Sequence, residues 1–120
     1  DGAFDLSRKD EFEWTSCIRL PEFVTLDVFE QAKSIATEKK GEDYSPAEFL
    51  TVDEGLCVQC MHIGPYDDEP ATIEAMHRFA EEQGHAIDLT DTRLHHEIYL
   101  SDPRRCAPEK LRTVIRIPVS

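Results

Sequence analysis

Basic side chains are scarce in this 120-residue chain: 13 lysines and arginines stand against 25 aspartates and glutamates, a net charge of −12. Such a surface repels phosphate backbones and anionic lipid, which argues against direct nucleic-acid or membrane binding. Arg104, Arg105, Lys110 and Arg112 form the only local basic cluster, and it is small. A neutral or cationic partner suits this field better. Long apolar runs are missing as well. None approaches the roughly 20 residues a membrane span requires, and no secretory segment is visible. Glycine-rich phosphate loops and nucleophile elbows are also absent. A cytoplasmic protein with no cofactor is the expectation.

Cysteine is sparse too. Cys17, Cys57, Cys60 and Cys106 invite a disulfide or zinc reading, and Cys57-Val58-Gln59-Cys60 has metal-like spacing with His62 nearby. That spacing falls inside Leu56–Ile63, which reads as a strand. Strand positions three apart point to opposite faces, so Cys57 and Cys60 would not chelate one ion. Scattered reduced thiols and no metal are the expectation.

What is present describes one globular domain over residues 1–120. Hydrophobic residues make up 40% and charged ones 32%, a balance that builds a modest core. Asp1–Asp10 is polar apart from Ala3, Phe4 and Leu6, and reads as a flexible start or a cut end. Glu11–Leu20 alternates as a strand would, with Phe12, Trp14, Ile18 and Leu20 on one side, and Pro21 stops it. Thr25 can cap a helix running to Lys40. Val28, Phe29, Ala32, Ile35 and Ala36 form its apolar stripe, and Gly41 ends it.

Ala47–Val52 reads as a short strand or an extended connection, and Glu54-Gly55 as a turn before Leu56–Ile63. Gly64-Pro65 breaks the chain ahead of a second helix. Asp67 or Asp68 would cap that helix, acids fill its first turn, and Gly84 closes it. Ile73, Met76, Phe79 and Ala80 are its expected core face. Asp67-Asp68-Glu69 has the look of a metal cluster, but helix capping explains it without an ion. Arg93–Leu100 is the next strand, Pro108–Leu111 one helical turn, and Arg112–Val119 the last strand. The order implies an α+β fold, an antiparallel sheet with helices on one face.

Within Leu94-His95-His96-Glu97-Ile98-Tyr99-Leu100, alternation puts Leu94, His96, Ile98 and Leu100 on one face. That face can pack against a helix layer. The opposite face then sets Glu97 between His95 and Tyr99. A carboxylate in a partly dry site needs a hydrogen bond, a cationic partner or a proton, so it can recognise a cation or act as an acid or base. The plainer reading is a solvated Glu on a half-exposed sheet.

Two strings carry a resemblance. Glu54–Pro70 (EGLCVQCMHIGPYDDEP) and His96–Leu111 (HEIYLSDPRRCAPEKL) resemble stretches typical of the GyrI-like small-molecule-binding family, and the Trp14 strand followed by Pro21-Glu22-Phe23-Val24-Thr25 fits the part before them. The resemblance implies two strand–helix–strand–strand units about a pseudo-two-fold, with a ligand cleft between them. Relatives include effector-binding domains of multidrug-responsive transcription activators and a gyrase-inhibitory protein. Some stand-alone members resembling this chain hydrolyse cyclopropane-bearing genotoxins. The family's central cleft glutamate maps onto Glu97, with Tyr66 and Trp14 as aromatic walls and Tyr99, His62 and His95 as further candidates.

Members of this type carry a longer N-terminal half. Only the last strand of the first unit is recognisable here, so either the chain is truncated or a second copy supplies the rest as a homodimer. The leading functional expectation is binding of lipophilic, often cationic or planar small molecules in an aromatic cleft with Glu97 at its base. The alternative is a hydrolase in which Glu97 activates water and Tyr66 or Tyr99 steadies the leaving oxygen. A third is protein-partner inhibition in the manner of the gyrase-directed relative.

Overall fold

The structure, a computed structural model, describes residues 14–120. The start at Asp1–Asp10 and the first residues of the expected Glu11–Leu20 strand lie outside the described residues. The described chain falls into two compact units, one reaching Thr51 and the other spanning Val52–Ser120.

In the first unit, residues 14–20 form no strand, contrary to the alternation of their side chains. Trp14 and Ile18 are 79% and 88% exposed. Alternation specifies a strand only when a neighbour takes up its backbone bonds, and among the described residues none does so. Helix α1 (Leu26–Lys40) is bounded as its end signals require: Thr25 accepts the Val28 N–H at its hydroxyl, and Gly41 takes a left-handed φ of 64°. None of its residues is buried. Residues 47–52 are an extended connection rather than a strand. Lys33 Nζ donates to the carbonyls of Ser45 and Ala47 at 3.4 and 3.0 Å, and the Phe29 and Phe49 rings meet at 5.7 Å. Those contacts fold the connection back along α1.

The second unit holds β1 (Cys57–Ile63), α2 (Glu69–Glu82), β2 (His96–Tyr99) and β3 (Arg112–Pro118). The sheet order is β1–β3–β2, and β3 is antiparallel to both neighbours. Register sets three residues in a row across the sheet, because Ile115 pairs with both Cys60 and Glu97. Thr113 likewise lies between His62 and Tyr99. Val58, Ile115, Ile117 and Val119 from the sheet pack with Ile73, Met76 and Ala80 from α2 as the core. The expected helical residue Phe79 is 53% exposed and outside it. Alternation on β1 puts Cys57 and Cys60 on opposite faces.

The register reverses one expectation about the faces of β2. Ile115 belongs to the core, so Glu97 beside it looks toward α2. Leu94, Ile98 and Leu100, expected beneath a helix layer, are 53%, 36% and 55% exposed. β2 alone offered its apolar face to the helix layer, and its register against β3 turned that face outward. The larger apolar area on β1, β3 and α2 decided which face was covered.

Arg93 pins the unit's ends together. Its guanidinium donates to the carbonyls of Glu54, Leu56 and Val119 and pairs with Asp88 at 2.7 Å. Among the described residues no helix is long and apolar enough to cross a membrane.

Candidate functional site

The site is assembled where the start of α2 meets β2. Gly64, with φ of 131°, donates its N–H to the Leu111 carbonyl at 2.8 Å and turns the chain out of β1. A short 3₁₀ turn, Tyr66–Asp68, follows and runs into α2. Of the two acids expected as caps, Asp68 occupies the cap position, but its side chain makes no capping hydrogen bond. The next residue, Glu69, is only 3% exposed.

The Glu69 and Glu97 carboxyl groups are neighbours, close enough to feel each other's charge and to share a proton. His95 Nε2 lies 3.0 Å from Glu97 Oε2, and the Tyr99 hydroxyl donates to Glu97 Oε1 at 3.4 Å. The Tyr66 ring meets the Tyr99 ring edge-on at 5.6 Å. Burial, then the charge of Glu97 and the bond to it, push the Glu69 carboxyl up to about 8. Glu97 is held below the ordinary carboxylate range, first by the hydrogen bond from His95 and against the cost of burial. Desolvation of its hydroxyl and the neighbouring carboxylate push the Tyr99 phenol up to about 12. The two shifts run in opposite directions, so Glu69 is the member that favours the proton and Glu97 the member that favours the charge. Two carboxyls this close cannot both ionise cheaply.

The pair is not sealed. The Glu97 side chain is 18% exposed and Tyr99 61% exposed, so the site opens on the tyrosine side. Glu69 Oε2 is buried and takes no hydrogen bond from an N–H or hydroxyl group of the protein. A groove of about 240 Å³ at the far end of α2, between Leu56, Val58, Phe79 and Val119, does not include the carboxyls.

Of the candidates read from the sequence, Glu97, His95, Tyr99 and Tyr66 come together. His62 does not join them. It is 5% exposed, with Nδ1 2.7 Å from the Thr72 hydroxyl and Nε2 2.9 Å from the Pro65 carbonyl. A carbonyl only accepts, so Nε2 carries a proton and donates to Pro65, while Nδ1 is bonded to the Thr72 hydroxyl. His62 thus ties β1 to the start of α2. His62→Leu should lower unfolding stability by about 1–3 kcal/mol, the usual cost of buried groups left without partners; urea denaturation measures it. Trp14 belongs to the first unit, and the geometry above is built without it. Among the described residues no group of three or more His, Cys, Asp or Glu could hold a metal ion.

Sequence reasoning missed Glu69, which reads as one more acid in a helix's first turn. A signal was present: Glu69, Ile73, Met76 and Ala80 are spaced four, three and four apart, so the acid heads the apolar stripe. An acid in that position is carried into the core.

Residues 24–120 match the model of the GyrI-like small molecule binding domain. The chain belongs to the GyrI-like family. Three solved structures from Listeria innocua resemble this GyrI-like chain. An uncharacterized conserved protein is 48% identical over 100% of this chain and 59% of its own, with a TM-score of 0.92. A hydrolase is 47% identical over 85% of this chain and 52% of its own, with a TM-score of 0.80. A second structure described as a hydrolase is 47% identical over 85% and 50%, with a TM-score of 0.77. This GyrI-like chain thus spans between half and three-fifths of the length of the solved proteins it matches. Among curated proteins, none matches it.

Proposed function

We propose that this GyrI-like domain takes a lipophilic small molecule against Tyr66 and Tyr99 and adds water to it, with Glu97 as general base and Glu69 as general acid. The observation that carries this reading is the arrangement of the two neighbouring carboxyls, Glu69 buried at the start of α2 and Glu97 bonded by His95 and Tyr99. Neighbouring acids whose surroundings drive their pKa values apart are suited to give and take protons in one turnover. Two similar structures described as hydrolases support the same reaction type.

The substrate class that fits so sparse a site is an electrophile activated by its own strain, such as a cyclopropane conjugated to a carbonyl. Glu97 removes a proton from water, whose oxygen bonds to a ring carbon as the ring C–C bond breaks. The electron pair of that bond moves onto the conjugated carbonyl, where the Glu69 proton neutralises it. Glu97 now holds a proton and Glu69 has lost one. Sharing between the two returns the proton to Glu69, and the pair is reset.

Incubating the protein with a cyclopropane-bearing DNA alkylator, followed by mass spectrometry, tests this. The expected product has the substrate mass plus one water. Binding of the alkylator with no water adduct formed would overturn the hydrolytic reading. Turnover should trace a bell in pH. It falls on the alkaline side around pH 8 as Glu69 loses its proton, and on the acid side as Glu97 gains one.

A second reading rests on the charge alone. An ionised Glu97 beside two aromatic rings, on a chain of net charge −12, suits a cationic, planar ligand held without reaction. Comparing a cationic dye with a neutral analogue of the same shape measures that preference.

A further inference from the structure

We infer that His95 is the positioning residue that assigns the charge within the carboxyl pair: by donating from Nε2 to Oε2 of Glu97, it keeps the charge on Glu97 and the shared proton on Glu69. The inference rests on the proposed reading of the pair as the working site and adds the device that makes its two members unequal.

The geometry of the donors carries it. A carboxylate only accepts, so the 3.0 Å approach of His95 Nε2 places a proton on that nitrogen, pointing at Glu97. Tyr99 supplies a second, longer bond at 3.4 Å to the other oxygen. Among the described residues no N–H donates to the Glu69 carboxyl, whose buried Oε2 has only the neighbouring acid to share a proton with. A short N–H bond to one acid, with none to its neighbour, stabilises the anion on the first. Among the described residues, the titratable groups facing Glu97 are Glu69 from α2, His95 and Tyr99 on either side of it along the chain, and Tyr66 beyond Tyr99. Its neighbour on β3 is Ile115, uncharged. His95 is therefore the group able to bias the pair toward charge on Glu97.

Burial offers a competing account, because Glu69 is the more enclosed of the two. The two accounts separate on substitution. His95→Leu keeps apolar bulk and removes the donor, whereas His95→Gln keeps an N–H. Carboxyl ¹³C NMR titrations of the wild type and both variants read the charge directly, without substrate. The Glu97 titration should rise by roughly one pH unit or more in His95→Leu. In His95→Gln it should return most of the way to the wild-type position. The acid limb of turnover, where turnover is seen, should follow the same shifts. A Glu97 titration unmoved in His95→Leu, or moved equally in both variants, overturns the inference and leaves burial as the cause. Should His95→Leu fail to fold, His95→Asn, whose shorter amide falls short of Glu97, serves in its place. Absence of hydrolysis would sink the proposed reaction alone, since the titrations stand without it.

Discussion

Glu97→Gln should lower turnover of a strained-ring electrophile by about 10²–10⁴-fold, the usual contribution of a positioned acid or base. Binding of a neutral substrate analogue should stay within a few-fold of wild type. Glutamine keeps the size of the side chain and an oxygen that accepts from His95, yet it cannot take a proton from water. Its charge is gone as well, so a cationic dye should lose affinity where the neutral analogue does not. Equal loss for both ligands would remove the carboxylate from recognition. The variant also feeds back on its neighbour. Part of the upward push on Glu69 comes from the charge of Glu97 and the bond to it, so Glu69 should titrate below its wild-type position. Stopped-flow turnover, dye titration and carboxyl NMR on one preparation cover all three outcomes.

Glu69→Gln should make the fold more stable at alkaline pH and flatten its dependence on pH. Glu69 titrates near 8 when folded, against an ordinary value of 4.5. Between those values the folded state holds a proton that the unfolded chain has released. Stability from this group is therefore fully present below about 4.5 and is lost as pH rises toward 8. The slope is at most ~1.4 kcal/mol per pH unit, and less to the extent that water beside Tyr99 screens the pair. Glutamine carries no such liability and can still donate to Glu97. Urea unfolding of both proteins from pH 5 to 9 should give curves that separate between about pH 5 and 8 and run parallel above that. Curves parallel throughout would show that Glu69 keeps its charge at neutral pH, and the acid role would fall with them.

Much of this architecture is written locally. Thr25 and Gly41 mark the ends of α1, and the spacing of Ile73, Met76 and Ala80 marks the inner face of α2. Apolar runs mark β1 and β3. Alternation alone was enough to seat Glu97 with His95 and Tyr99. Other features depended on partners distant in sequence. The residues after Trp14 alternate well and still form no strand, because strand formation needs a neighbouring backbone. The covered face of β2 was set by its register against β3, about 15 residues further on. Glu69 stayed hidden for a related reason: the same acid is solvated in one packing and enclosed in another, and only α2 docking on the sheet selects between them.

The strand at the centre of the sheet is the last to be made. β1 and β2 do not pair with each other; each bonds to β3, which follows both of them in the chain. During synthesis neither can complete a ladder until Arg112–Pro118 has left the ribosome. The nascent chain must hold an amphipathic helix and two unpaired strands until then, a condition that favours slow, late assembly and transient need of a chaperone.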